Sequence, residues 1–145
     1  MEEDKKKDLA GRSLLVVGAG GFIGGFIAAE GLKRGMDVTV AVRESTSRRY
    51  LADKRLRFLV LDYDDPQAMA GAIADAPRWD YIIYNLGATK CINYIDFKRI
   101  NYEYLRSFTQ VLKDTSHEPD CLLLMSSLSA LGPGDEDGYA PLSSA

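Results

Sequence analysis

The sequence has little of what nucleic-acid binding, membrane insertion, disulfide bonding or metal coordination requires. Its 145 residues include 18 basic and 21 acidic ones, a net charge of -3, which gives no basic field of the kind that nucleic-acid binders use. No apolar run approaches membrane-spanning length. The two cysteines, Cys91 and Cys121, are far apart and lack metal-ligand spacing, and His117 is the single histidine. We therefore predict no nucleic-acid partner, no membrane partner and no metal site.

The chain begins with a charged segment rather than an apolar one. Met1 to Asp8 is almost wholly charged, with signs that nearly cancel, so we expect no signal peptide and a solvated, frayed tail over residues 1–12. The remaining length suits a single domain, which we assign to residues 13–134. Free thiols and the absence of a signal peptide lead us to expect a cytoplasmic protein.

The most informative segment that is present is a glycine-rich turn. Residues 14–24 are LLVVGAGGFIG, so a buried-type strand enters three glycines and continues into a helix-compatible segment. Gly18 permits the tight turn, Gly21 lets backbone approach phosphates, and Gly24 lets the helix pack closely on the sheet. The start of that helix would offer unpaired N–H groups and a positive dipole end to an anion. The segment therefore predicts a dinucleotide pyrophosphate site.

Apolar strand-like runs alternate with helix-compatible segments along the chain. Predicted strands cover residues 13–18, 37–43, 58–61, 79–86 and 121–125, and predicted helices cover 22–34, 45–53, 67–74 and 93–113. The strand runs are apolar throughout, which is typical of a parallel sheet covered on both faces. We predict a doubly wound α/β fold of about five parallel strands in the order 3-2-1-4-5, with helices on both faces. Its ligand belongs at the carboxyl ends of the strands, between the first and the fourth.

The spacing Gly18-x-x-Gly21-x-x-Gly24 resembles the glycine motif of the extended or atypical short-chain dehydrogenase/reductase family. The likeness is to the NAD-dependent epimerase/dehydratase and dihydroflavonol-reductase type, and it runs from about residue 13 to about 134. It implies the amino-terminal Rossmann part of such a protein. We expect the dinucleotide to lie along the whole turn, including Phe22 and Ile23.

Further cofactor contacts are implied by the resemblance. Asp62, after the third predicted strand, resembles the family's acidic residue that hydrogen-bonds the adenine amino group, with Tyr63 beside the ring. Asp62 could equally begin a turn. The segment Asn85 to Ala88 resembles the one that passes under the two riboses, so Leu86, Gly87 and Ala88 are further candidates.

The choice of cofactor depends on the end of the second predicted strand. An acidic residue there favours NAD, whereas an arginine suits the 2′-phosphate of NADP. This chain has Arg43, followed by Arg48 and Arg49, so NADP is favoured. Glu44, and the possibility that Arg43 stacks on adenine, keep NAD as the alternative.

Catalytic residues are implied only in part. Asn101 lies where the family keeps a structural and catalytic asparagine, but it could instead be an exposed helix residue. Ser127 resembles the family's active-site serine, but it could instead be an ordinary loop serine. The family's reaction also needs a Tyr-x-x-x-Lys pair. The only tyrosine after Ser127 is Tyr139, and the residue four positions later is Ser143, so that pair does not follow the serine.

Two functions remain open from the sequence. The chain is either the cofactor part of a longer reductase or epimerase, with residues 135–145 leading into a carboxyl-terminal part, or a non-catalytic dinucleotide-binding sensor or scaffold. The former would act on a small-molecule substrate in the full-length protein, with homodimerisation as a further possibility. His117, in the connection before the fifth predicted strand, is expected to face solvent at the end of the sheet opposite the cofactor.

Overall fold

A computed structural model describes residues 9–86, 95 and 98–125 of the chain. The strands of this part are β1 (Ser13–Val17), β2 (Asp37–Val42), β3 (Arg57–Val60), β4 (Tyr81–Tyr84) and β5 (Cys121–Leu124). Its longer helices are α1 (Phe22–Lys33), α2 (Pro66–Ala74) and α3 (Tyr104–Asp114). The strands form one sheet in the order β3-β2-β1-β4-β5, and every neighbouring pair is parallel. The predicted doubly wound α/β fold and its strand order are confirmed.

The sheet is covered on both faces because side chains alternate along each strand. On one face, Leu15, Val17 and Ile82 pack with α2 and α3 in a cluster that includes Trp79 and Phe108. On the other face, residues of β1 and β2 pack against α1 in a second cluster. The second cluster includes Leu14, Val16, Val38, Val40, Val42, Ala28 and Leu32.

Helix α1 buries its small residues and exposes its large ones. Gly24, Gly25, Ala28, Gly31 and Leu32 are buried. A Cβ at position 31 would come within 2.9 Å of methyl groups of both Leu14 and Val38, so a larger residue there would require these side chains or the helix to shift.

Two pairs of large apolar residues at four-residue spacing, Phe22 with Phe26 and Ile23 with Ile27, favour a helix here. Of these four residues, Ile27 packs against the second cluster. Phe22 and Phe26 are 66% and 68% exposed, and Ile23 is 55% exposed. Four-residue spacing of large apolar residues predicts the helix correctly but does not identify the face that packs on the sheet.

The helix predicted over residues 45–53 is wrong. This connection consists of turns, with the Thr46 backbone N–H donating to the Arg43 carbonyl at 3.0 Å and the Arg43 N–H donating to Thr46 Oγ1 at 2.9 Å. Ser47 Oγ likewise accepts from the Arg49 N–H. Serine and threonine side chains offer the backbone local partners that compete with helical hydrogen bonds, which accounts for the difference.

The long predicted helix is interrupted by a π-helical turn. Residues Arg99–Glu103 form this turn, and the α-helical part begins directly after it at Tyr104. The four-residue spacing of Ile100, Tyr104, Phe108 and Leu112 predicts one apolar stripe along this helix. In α3, Tyr104, Phe108 and Leu112 are buried, as that stripe predicts. Wider π turns inside helices occur frequently beside functional sites.

A polar cluster joins the amino-terminal ends of the central strands. The Asp80 carboxylate accepts from the Ser13 N–H at 3.0 Å and lies 3.9 Å from Arg12 and 3.6 Å from Arg78. These contacts, led by the Ser13 N–H, hold the pKa of Asp80 below its ordinary value. The same arginines reach Asp120, so the cluster links β1, β4 and the residue before β5.

His117 lies at this end of the sheet, as predicted, but it is half-buried rather than solvent-facing. Its Nε2 is 2.7 Å from the Ala76 carbonyl oxygen, its Nδ1 is 2.7 Å from the Thr115 carbonyl oxygen, and its ring is 6.2 Å from that of Trp79. The imidazole thus connects the end of α2 to the segment before β5, a structural position.

Strand β5 has a different environment from the other strands. All four of its residues are exposed, and Leu123 is 52% accessible. An apolar groove of about 470 Å³ runs beside it between α1 and β4, with Phe26, Ile27 and Tyr81 among its lining residues.

None of the helices in the described residues has the length and apolarity needed to cross a bilayer.

Candidate functional site

A cavity of about 760 Å³ opens at the carboxyl ends of β1, β2 and β4. This is the edge of a parallel α/β sheet where the strand order reverses and ligands bind. Its lining residues are Gly18, Ala19, Gly20, Gly21, Phe22, Ile23, Ala41, Val42, Arg43, Ser45, Thr46, Tyr63, Asn85, Leu86 and Ile100. The glycine turn contributes the largest continuous part of that lining.

Two glycines of the turn are required by close approach. Gly18 has a φ of +76°, and a side chain there would come within 2.6 Å of the Asn85 carbonyl oxygen at the end of β4. A side chain at Gly24 would come within 2.6 Å of both the Ala19 Cα and the Gly18 carbonyl oxygen, so α1 packs directly on the turn. Gly24 is buried and does not line the cavity.

Gly21 differs because a side chain there would meet no atom within 4 Å. It is the N-cap of α1, and neither a side-chain cap nor an acidic residue in the first turn partners the helix start. The first N–H groups of a helix and its dipole attract anions. The space above Gly21 is thus electropositive and open to the cavity.

Two further glycines were not predicted from the sequence. A side chain at Gly20 would overlap the methyl group of Thr46, and one at Gly25 would come within 2.6 Å of Tyr50 Cβ. The Tyr50 ring also packs edge-on against Phe22, with centroids 6.0 Å apart. These two glycines leave room for the loop that follows β2. Thr46 of this loop lines the cavity. The adjacent glycines in Gly20-Gly21 and Gly24-Gly25 were the available signal.

Arg43 follows β2 and lies at the cavity edge, with Ser45 and Thr46 beside it. Its guanidinium carbon is 5.8 Å from the centroid of the Tyr63 ring and 5.2 Å from that of Tyr104. It takes part in none of the ion pairs found among the described residues.

The two arginines that follow Arg43 make other contacts. Arg48 lies over Phe58 at 4.1 Å, and Arg49 lies over Tyr50 at 5.4 Å. Neither lines the cavity, so of the three arginines only Arg43 does.

Asp62 and Tyr63 are adjacent in the sequence, but Asp62 faces solvent whereas Tyr63 is buried against the cavity. Asp62 is exposed, does not line the cavity, and accepts the Asp64 N–H at its Oδ1 at 3.0 Å, which is the turn-forming role that the sequence left open. Tyr63 is 4% exposed, lines the cavity, and has a hydroxyl with no hydrogen-bond partner in the described part of the chain. Burial, followed by the nearby Tyr84, raises the pKa of the Tyr63 hydroxyl. Tyr63 is therefore a neutral group at the inner wall.

Comparison with protein families gives one match that spans most of the chain. The NAD dependent epimerase/dehydratase family matches residues 14–144. The chain belongs to this family. The match confirms the resemblance carried by the glycine spacing.

Two epimerase structures and the structure of RhlG share the fold of this epimerase/dehydratase chain. A UDP-glucose 4-epimerase superposes with a TM-score of 0.74 at 15% identity, over 87% of this chain and 39% of that one. An epimerase from Methanothermobacter thermautotrophicus superposes at 0.69 with 16% identity, over 94% and 43%. RhlG from Pseudomonas aeruginosa, in a complex with NADP at its active site, superposes at 0.71 with 23% identity, over 91% and 59%.

This epimerase/dehydratase chain spans only about two fifths to three fifths of the length of those structures. No curated protein matches it in sequence. The family match and the superpositions therefore establish the family and the fold of this chain.

Several predicted site residues lie outside the described part. Gly87, Ala88 and Ser127 are outside it, as are the tail 1–8 and residues 126–145, which include Tyr139. The backbone of Asn101 lies within the π turn, but its side chain is not described. Leu86 lines the cavity, as does Ile100 of the same π turn, which was not predicted from the sequence.

Two Tyr-x-x-x-Lys spacings occur earlier in the chain than the family motif. Tyr50 and Lys54 belong to the loop after β2, where Tyr50 packs on α1 rather than beside β5. The other, Tyr94 and Lys98, begins at a residue outside the described part. Neither follows the fifth strand as the family motif does.

Proposed function

We propose that this chain is the dinucleotide-binding part of an extended short-chain reductase or nucleotide-sugar epimerase/dehydratase, and that NADP is its preferred cofactor. The observation that carries the proposal is the cavity above Gly21, bounded by a glycine turn and the start of α1. The residues fit a dinucleotide. Close packing requires glycine at Gly18 and Gly24, whereas the space next to Gly21 is open to a phosphate.

The pyrophosphate would be held by the turn and the first residues of α1. Gly21, Phe22 and Ile23 line the cavity, and their N–H groups belong to the helix start, which lacks a side-chain cap. Backbone donors and the helix dipole suit a doubly charged phosphate pair. When bound, the nicotinamide would supply or accept a hydride.

The adenosine end would be recognised by the loop after β2. Arg43 lines the cavity without an ion pair in the described residues, and Ser45 and Thr46 offer hydroxyl groups next to it. A guanidinium can pair with a phosphate through two hydrogen bonds, which favours the 2′-phosphate of NADP. NAD remains the alternative because of Glu44 and because Arg43 could stack on adenine. Asp62 is retained as a candidate for the adenine amino group, with Tyr63 beside the ring.

The nicotinamide end would be formed by Leu86, Gly87 and Ala88, with Asn101 and Ser127 as catalytic residues of the full-length protein. In the family, a tyrosine and a lysine transfer the proton. No Tyr-x-x-x-Lys pair follows Ser127 in this sequence, so further residues would have to supply it. The chain by itself is thus expected to bind nucleotide without turnover. We place the full-length protein in the cytoplasm, acting on a small-molecule substrate.

Calorimetric titration with NADPH and NADH tests the cofactor assignment. We expect the chain to bind NADPH more tightly, and Arg43→Ala to bring the two dissociation constants to parity, a loss of roughly tenfold or more for NADPH because charged hydrogen bonds contribute about 1.5–3 kcal/mol each. Arg48→Ala is the matched control, since Arg48 lies over Phe58 outside the cavity. Equal affinities in the unmutated chain would refute the NADP assignment.

The second candidate is a non-catalytic NAD(P)-binding sensor or scaffold protein. It is favoured by one observation, that no tyrosine after Ser127 in this sequence has a lysine four residues later. The gene beyond residue 145 separates the two candidates. A Tyr-x-x-x-Lys within about 15 to 30 further residues, as the family resemblance implies, supports the enzyme, and a stop codon after residue 145 supports the sensor.

A further inference from the structure

Beneath the cavity, Arg43 lies against a pair of tyrosine rings that come from different elements. The Tyr63 and Tyr104 rings are stacked with centroids 5.5 Å apart and planes 25° apart, and the Arg43 guanidinium carbon is within 6 Å of both centroids. Both tyrosines are buried, at 4% and 3% exposure. A guanidinium near aromatic faces is attracted by the electron density of the rings.

We propose that Tyr104 is a positioning residue for the cofactor: it holds the Arg43 guanidinium at the cavity edge and thereby sets the preference for a 2′-phosphorylated dinucleotide. This inference rests on the proposed role of Arg43. Tyr104 itself does not line the cavity, whereas Arg43 and Tyr63 do, so Tyr104 acts through its neighbours rather than on the cofactor.

The position of Tyr104 is fixed from two sides. Its hydroxyl donates to Asp64 Oδ2 at 2.8 Å, and Asp64 lies in the loop after β3. The same carboxylate lies 3.8 Å from Arg99 in the π turn. A buried ring with its hydroxyl anchored loses little further freedom when Arg43 packs on it.

The carboxylate of Asp64 is engaged by these two partners. It contacts the Tyr104 hydroxyl and Arg99, and it forms no ion pair with Arg43 among the described residues. Arg43 therefore faces the cavity with aromatic contacts behind it and no ion pair among the described residues. An arginine held in this way is prepared for an anion, and its side chain need not be ordered when the phosphate binds.

The π turn explains how one helix serves both surfaces. Ile100 of the turn lines the cavity, and Tyr104, at the first α-helical position after it, contacts Tyr63 and Arg43. A π turn adds a residue to the helical repeat and rotates the next turn of the helix about its axis. Tyr104 is thereby directed to the end of β2.

The experiment compares NADPH and NADH affinities of the chain and its variants by calorimetry, with thermal unfolding as a check of folding. Tyr104→Leu removes the ring, and we expect NADPH binding to weaken by about three- to tenfold, the range of a partly buried cation–π contact, with NADH within about twofold. Tyr104→Phe and Asp64→Ala keep the ring and remove its anchor, and we expect smaller losses in the same direction. Tyr102→Leu, at an exposed position of the preceding π turn, is the matched control.

A double-mutant cycle separates this inference from the proposed function. In the Arg43→Ala background, Tyr104→Leu should cause no further change in the ratio of the two affinities. If Tyr104→Leu leaves the ratio of the NADPH and NADH affinities unchanged, the inference is overturned, whereas the proposed role of Arg43 is not. An unchanged ratio in Arg43→Ala itself would overturn the proposed function instead. If Tyr104→Leu does not fold, unchanged ratios in both Tyr104→Phe and Asp64→Ala overturn the inference.

Discussion

Gly18 and Gly21 lie three residues apart in one turn, but a side chain would meet different surroundings at each. At Gly18 it would overlap the end of β4 in a left-handed backbone conformation, so substitution there damages the fold. At Gly21 it would enter open space, so substitution leaves the fold intact and fills the cavity. The two positions therefore separate stability from binding.

The residue-scale prediction is that Gly21→Val abolishes dinucleotide binding while the chain stays folded. The valine side chain would occupy the space where backbone must approach the phosphates. Calorimetric titration with NADPH measures the affinity, and thermal unfolding measures the stability. The matched control is Gly71→Ala in α2, where a side chain also meets nothing within 4 Å. That variant should gain about 0.5–1 kcal/mol of stability and keep its affinity. Retained binding in Gly21→Val would show that the pyrophosphate lies elsewhere.

Single residues also show how far sequence alone could lead. Gly18 and Gly24 were predictable, because the strand before them and the helix after them give the spacing its meaning. Tyr104 was predictable only as part of an apolar stripe, since its contacts with Arg43 and Asp64 come from elements far apart in the chain. Asp62 was predictable as a residue after a strand, but whether its carboxylate faces the cavity or a turn depends on local backbone geometry.

At the scale of elements, the spacing of apolar residues did not reveal two features: the turns over residues 45–53, where the predicted helix is wrong, and the face of α1 that packs on the sheet. Side-chain oxygens of Thr46 and Ser47 compete for backbone groups, which no periodicity of apolar residues reveals. In α1, the small residues face the sheet because the strand-to-helix turn brings the two backbones close together. The strand order was predictable because parallel strands joined by helices obey a single handedness.

The amino-terminal ends of the strands carry an element-scale prediction about pH. Asp80 in this cluster has a lowered pKa, because it accepts hydrogen bonds from Ser13 and lies near Arg12 and Arg78. A carboxyl group whose pKa is lower in the folded state stabilises the fold above its unfolded value and loses that contribution as pH falls through the folded one. We therefore expect Asp80→Asn to unfold at a lower urea concentration than the unmutated chain at pH 7.

The difference should shrink as the pH falls below the ordinary aspartate value of about 4. Urea unfolding at several pH values between neutrality and strong acid measures it. Ser13→Ala removes the hydroxyl but keeps the backbone N–H, so it should reproduce only part of the effect. A difference that persists unchanged at low pH would contradict this account of the cluster.

At the scale of the whole molecule, the two edges of the sheet are unlike each other. Strand β3 at one edge is preceded by Lys54 and Arg55 and starts at Arg57, and charged residues of this kind discourage pairing with other strands. Strand β5 at the other edge has the sequence CLLL, is exposed along its whole length, and borders an apolar groove. Exposed apolar strands of this kind are sites of association. The chain of 145 residues could therefore associate along this edge.

We predict that this chain self-associates through β5, so that its average mass in sedimentation equilibrium rises with concentration. Leu123→Lys places a charge on the exposed strand beside the groove and should return the mass to that of a monomer at concentrations where the unmutated chain associates. Val60→Lys is the matched control, because Val60 is 47% exposed on the opposite edge strand, and it should leave association unchanged. A monomer at every concentration would contradict the prediction, and an equal effect of both variants would assign association to net charge rather than to β5.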